Sequence, residues 1–84
     1  MFRVKIRWPA GKKLLADATG ATWEEAAFAG YDQIVRKSGG TRRYLAHVES
    51  DVAPWRKLVR FGYRTRARGV ATDPTVALDI EQVR

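Results

Sequence analysis

Only one stretch of this chain carries a long helical period, and it is bounded at both ends. Thr22-Trp23-Glu24-Glu25 has the form of a capping box: the Thr22 hydroxyl accepts from the Glu25 amide while the Glu25 carboxylate reaches back to the Thr22 amide. Both glutamates fall in the first turn, and Arg36 and Lys37 in the last, each favourable for the helix dipole. Trp23, Ala27, Gly30, Tyr31 and Ile34 recur at helical spacing and predict one apolar stripe. Ala27 and Gly30 are small, so this helix can lie close to a sheet. Gly39-Gly40 stops it, which gives a helix over 22–38. What remains of 84 residues is too little for a second core, so the rest of the chain must form strands that cover this stripe.

The strand signals agree. Phe2, Val4, Ile6 and Trp8 alternate with Arg3, Lys5 and Arg7. Pro9-Ala10-Gly11 breaks that run, and a three-residue loop with Gly11 in the left-handed region predicts a hairpin to a weaker strand over 12–18. Its register sets Ile6 against Leu14, Val4 against Ala16 and Arg3 against Asp17. Residues 43–49 read as a third strand, with Tyr44, Ala46 and Val48 on one face and a turn or helix opening at Ser50-Asp51. Over 52–61 a short helix is slightly favoured: Asp51 suits the N-cap, Pro54 the first turn and Gly62 the position past the end. As a strand this segment turns Lys57 toward the core and Leu58 outward. Tyr63, Thr65 and Ala67 alternate with Arg64, Arg66 and Arg68, and Gly69 is a candidate bulge. A turn at 72–75 then leads into Val76, Leu78 and Ile80, and a terminal hairpin opposing Arg66 to Glu81 and Arg68 to Asp79 is expected. The fold class is α+β: an antiparallel sheet of about five strands with one main helix on one face, in the order ββαβ(α)ββ.

Charge narrows the function. Sixteen Lys+Arg against nine Asp+Glu give a formal net charge of +7, which biases the search toward polyanionic partners. Between Asp51 and Asp73 lie Arg56, Lys57, Arg60, Arg64, Arg66 and Arg68, with no acid among them. Five of these six are arginines, whose planar forks of donors bind phosphate bidentately and stack on bases. Arg3, Lys5 and Arg7 on a neighbouring strand would extend them into one basic sheet face. The bland alternative is a solvated face whose cations guard strand edges and pair with Asp17, Asp79 and Glu81. Trp8, Trp23, Phe2 and Tyr31 are expected in the core. Phe28, at the edge of the helix stripe, and Trp55 and Tyr63, flanking the basic window, are the candidates for stacking or for anchoring a partner.

Catalytic constellations are not visible. The chain has no Cys and one His, which excludes thiol nucleophiles, disulfides and Cys- or His-rich metal centres. Ser38 and Ser50 lack a nucleophile context, and the acids are dispersed apart from Glu24-Glu25. His47 with Glu49 and an arginine is the one arrangement that could cleave RNA, but residues two apart on a strand commonly form a surface pair. No run is apolar and long enough to span a membrane, and the N-terminus lacks a signal-peptide core. The expectation is a small cytoplasmic, non-enzymatic nucleic-acid-binding protein, without cofactor, metal or small-molecule substrate. It would contact phosphates through the arginine-rich sheet face. The alternative is a protein-interaction module of phage or mobile-element type that inhibits a host complex by docking those cations on an acidic surface.

Overall fold

The computed structural model describes residues 1–37, 43–65 and 69–83, with the backbone alone given for 44–47. The elements are β1 (Phe2–Arg7), β2 (Leu14–Gly20), α1 (Trp23–Lys37), β3 (Tyr44–Ala53), β4 (Arg56–Thr65), β5 (Gly69–Thr72) and β6 (Val76–Gln82). All ladders are antiparallel, in the order β2-β1-β6-β4-β3, with β5 paired to β4. The expected α+β class holds, with six strands in place of five and one helix on the sheet.

The helix begins as the capping box requires. The Glu25 amide donates to Thr22 Oγ1 at 3.1 Å, while Glu25 Oε2 accepts from the Ala21 amide, one residue earlier than expected. Its buried face is Ala26, Ala27, Gly30, Tyr31 and Val35. Trp23 and Ile34 pack at its margins, so the stripe is rotated slightly from the expected one. A Cβ on Gly30 would come within 3.1 Å of Ile6 Cδ1 and within 3.7 Å of the Ala16 and Ala18 methyls. The missing side chain is therefore what lets α1 lie directly on β1 and β2. Val4, Ile6, Ala16, Val59, Phe61, Val76, Leu78 and Ile80 complete the core from the sheet.

Several expectations fail. The β1–β2 register is displaced by two residues: Val4 faces Ala18 and Ile6 faces Ala16. The connection is longer than a three-residue loop. Its turn closes through the Gly11 amide on the Trp8 carbonyl at 3.0 Å, Gly11 does not take a positive φ, and Leu15 is the extra residue of a bulge. A slip of two preserves the faces, because side chains alternate with period two. Trp8 lies beyond the last paired residue and is 46% exposed, not in the core.

The segment 52–61 is not a helix. It is the end of β3, a two-residue turn at Pro54-Trp55 and the first half of β4. Lys57 does face the helix side, as the strand reading requires, and it is accommodated there. Its side chain is 12% exposed, with Nζ 2.5 Å from Asp51 Oδ1 and 5.3 Å from the centre of the Trp23 ring. An apparent core lysine is thus a stem packed under a charge that still finds a carboxylate and an aromatic face.

The terminal hairpin also differs. Residues 62–65 of β4 pair with β5, and β6 runs between β1 and residues 56–59 of β4. Strands β5 and β6 lie along the same edge of β4, with a one-residue register shift across 73–75. Arg66 and Arg68 lie outside the described residues, but the acids expected opposite them are engaged elsewhere. Glu81 faces Arg3, and Asp79 sits between Lys5 and Arg56. Val48, expected on a core face, is 38% exposed on the edge strand β3.

Candidate nucleic-acid interface

Strand alternation puts Arg3, Lys5 and Arg7 of β1 and Arg56 and Arg60 of β4 on the sheet face away from α1. Between them runs β6, which brings Asp79 and Glu81 to the same face, and β2 adds Asp17. The result is charge alternation in place of a continuous basic face. Across the sheet, Asp17, Lys5, Asp79 and Arg56 follow one another in a single row.

Several of these cations are committed. Arg3 binds Asp17 through both Nε (2.8 Å) and Nη2 (2.5 Å), reaching it diagonally, and this fork holds the Asp17 carboxyl below the usual carboxylate range. Arg7 Nη1 donates to Asp79 Oδ2 at 3.1 Å. Arg60 Nε lies 2.5 Å from Glu49 Oε1 and 3.2 Å from Thr75 Oγ1, which in turn donates to Glu49 Oε2 at 2.6 Å. Glu49, the carboxylate of the RNA-cleaving arrangement, is thus paired with Arg60; the His47 side chain lies outside the described residues. Lys57 is on the opposite face and does not join the row. Lys5 and Arg56 stand on the open face without an ion pair among the described residues.

Among the described residues, four further unpaired cations lie toward one end. Strands β1 and β4 are both antiparallel to β6, so their C-terminal ends point the same way. The helix shares that direction: its first turns lie against Gly20, Gly30 sits over Ile6, and Tyr31 stacks on Phe61 at 4.0 Å. The C-terminal ends of β1, β4 and α1 therefore point toward the same end of the molecule, with β4 running on past Leu58, which is level with Arg7. Lys12 and Lys13 of the β1–β2 connection, Lys37 of α1 and Arg64 of β4 are all there, exposed and without an ion pair among the described residues. At the opposite end are Glu24, Glu25, Asp51 and Glu81. Six cations pair inside the described structure with Asp17, Asp79, Asp32, Asp73, Asp51 and Glu49, which leaves Lys12, Lys13, Lys37 and Arg64 unpaired toward the first end and Lys5 and Arg56 unpaired in the row beside Asp79.

That end is stiffened by a polar clasp with no local sequence signal. Asp73 Oδ2 accepts from Tyr31 Oη and from Arg43 Nε, both at 2.7 Å. The Arg43 guanidinium also lies 4.0 Å from the centre of the Tyr63 ring. Arg43 and Asp73 are 14% and 17% exposed. Burial, followed by the hydrogen bond to Asp73, pushes the Tyr31 phenol well above its ordinary pKa. The partners are 30 and 42 residues apart in sequence, so only folding brings them together.

The aromatic candidates separate. Phe28 packs edge-on against Phe61, with centroids 6.1 Å apart, and belongs to the packing of the helix on the sheet. Tyr63 is covered on one face by Arg43. Trp55 is 66% exposed beside a shallow depression that also involves Arg3, Lys5, Asp79 and Glu81, at the end away from the surplus cations. Trp8, expected to be buried, is the exposed aromatic at the cationic end. The chain matches no protein-family model, no curated protein and no solved structure.

Proposed function

We propose that this chain is a small nucleic-acid-binding module that grips phosphates with the end of the molecule where β1, β4 and α1 terminate. The observation that carries this reading is a set of unpaired cations on one side: Lys12, Lys13, Lys37 and Arg64 face solvent toward one end, while on the open face Arg3, Arg7 and Arg60 are held by carboxylates and Lys5 and Arg56 alternate with Asp17 and Asp79. Cations already held by carboxylates lose those partners when they bind phosphate. Unpaired ones release only counterions, and that release drives association.

The test is a salt series of DNA, RNA and heparin binding. Arg64→Ala should weaken binding and reduce the log–log salt slope by about 0.7–0.9, the share of one phosphate contact. Arg3→Ala, which removes a guanidinium held by Asp17, should leave the slope unchanged. Equal effects at the two positions would return the interface to the open sheet face. A second reading, docking on an acidic protein surface, draws on the exposure of Trp55 next to Lys5 and Arg56. It expects Trp55→Ala to abolish partner capture and Arg64→Ala to leave capture intact.

A further inference from the structure

The connection between β1 and β2 joins an exposed indole to a run of cations. Trp8 is 46% exposed just past the end of β1, and the Gly11 amide donates to its carbonyl at 3.0 Å, which fixes the backbone that presents it. The connection is further tied by Arg7 Nε, which donates to the Lys12 carbonyl at 3.4 Å. Lys12 and Lys13 follow directly, and no acid occurs between Arg7 and Asp17. A half-exposed indole and two exposed, unpaired lysines on one connection held from both sides supply the two parts of a single-strand contact: a flat ring for a base and ammonium groups for the flanking phosphates. A paired duplex offers its bases only as edges in the grooves, so a ring of this kind finds a face to cover only where bases are unpaired.

We infer that Trp8 stacks on an unpaired base, and that the ligand of the cationic end is single-stranded nucleic acid or a strand with unpaired bases. This inference rests on the proposed nucleic-acid reading and names its substrate class. Its signature is a dependence on the base itself, separate from the dependence on phosphate that Arg64 carries.

The experiment compares three probes at low salt: a 12-nucleotide dT oligomer, a duplex of the same length and an abasic oligomer with the same number of phosphates; a U oligomer separates RNA from DNA. Trp8→Leu keeps an apolar side chain and removes the ring. It should weaken binding of the dT or U oligomer roughly ten-fold, as expected for the loss of one stacked base, and leave duplex and abasic binding within two-fold. Trp8→Phe should restore most of the lost affinity. Thermal melts of both variants show whether the fold is retained, and Trp8→Phe keeps the test open if Trp8→Leu does not fold. Equal losses on the dT and abasic oligomers, or a Trp8→Phe variant no better than Trp8→Leu, would overturn stacking while the phosphate reading stands. Failure of the wild-type chain to bind any probe would overturn both.

Discussion

The two halves of this molecule are held together differently. Where α1 crosses β1 and β2, the contact is made by small and aliphatic groups: Gly30 meets Ile6, Ala16 and Ala18 at close range, and Ala26 and Ala27 are buried in the same core. Where α1 reaches β4, the contact is aromatic and polar: Tyr31 stacked on Phe61, Phe28 edge-on to it, and Asp73 joining Tyr31 to Arg43. Charge does not follow this division. In the first half Asp17 and Asp79 take up guanidinium groups of β1 and Lys12 and Lys13 stay unpaired; in the second Asp73, Asp51 and Glu49 hold Arg43, Lys57 and Arg60 and Arg64 stays unpaired among the described residues. Close backbone approach leaves no room for polar groups between helix and sheet. The wider aromatic contact can bury a phenol and a carboxylate together, because each satisfies the other.

The largest test of this contrast is Phe61→Ala. It removes the ring on which Tyr31 and Phe28 both pack and should cost about 3–5 kcal/mol. Ile6→Val, on the other side, should cost about 0.5–1.5 kcal/mol. Similar midpoint shifts for the two in urea unfolding would mean that the aromatic half carries no more than its share. Next in size is Gly30→Leu, which should overpack the close contact at about 1–3 kcal/mol. Gly30→Ala should be near neutral: the added methyl is tight only against Ile6 Cδ1 at 3.1 Å, with the Ala16 and Ala18 methyls at ordinary contact, and a gain of about 1 kcal/mol in helix propensity offsets the displacement of Ile6. A Gly30→Leu variant melting at the wild-type temperature would show that the helix can lift from β1 at no cost.

Smaller effects come from pH, and they should separate the halves by sign. The folded chain holds the Tyr31 proton more tightly than the unfolded chain does, so its contribution is complete below the ordinary tyrosine value of about 10 and is lost as pH rises beyond it. Tyr31→Phe should remove that alkaline loss, as followed by thermal melts across the alkaline range. Asp17 is the reverse case. Its folded pKa is depressed by Arg3, so its contribution is present above the ordinary aspartate value and fades as pH falls through the lowered one. This is the smallest effect, because the Arg3–Asp17 pair is open to water. Arg3→Ala should flatten the acid limb and leave the alkaline limb untouched; a change in both would show that the halves are coupled.

Local pattern was enough for part of this protein. The capping box at Thr22, the extent of α1, the faces of β1 and the strand character of 76–82 follow from spacing between near neighbours, and the structure has them. Segments whose conformation depends on distant groups carry a weaker local signal. Lys57 looked incompatible with a strand because its partners, Asp51 and the Trp23 ring, come from a neighbouring strand and from the helix. Trp8 looked like core because alternation continues to it, but pairing and the cover of the helix stop short of it.

The charge of the chain and its division into one helix and several strands are properties of the sequence alone, because each depends on composition or on contacts within a few residues. Which cations are spent and which are free was decided by tertiary structure. Placing β6 between β1 and β4 carries Asp79 and Glu81 into the basic face, and running β1, β4 and α1 in one direction gathers Lys12, Lys13, Lys37 and Arg64 at one end. Strand order costs nothing in local pattern and changes every neighbour, so no reading of the chain in one dimension contains it.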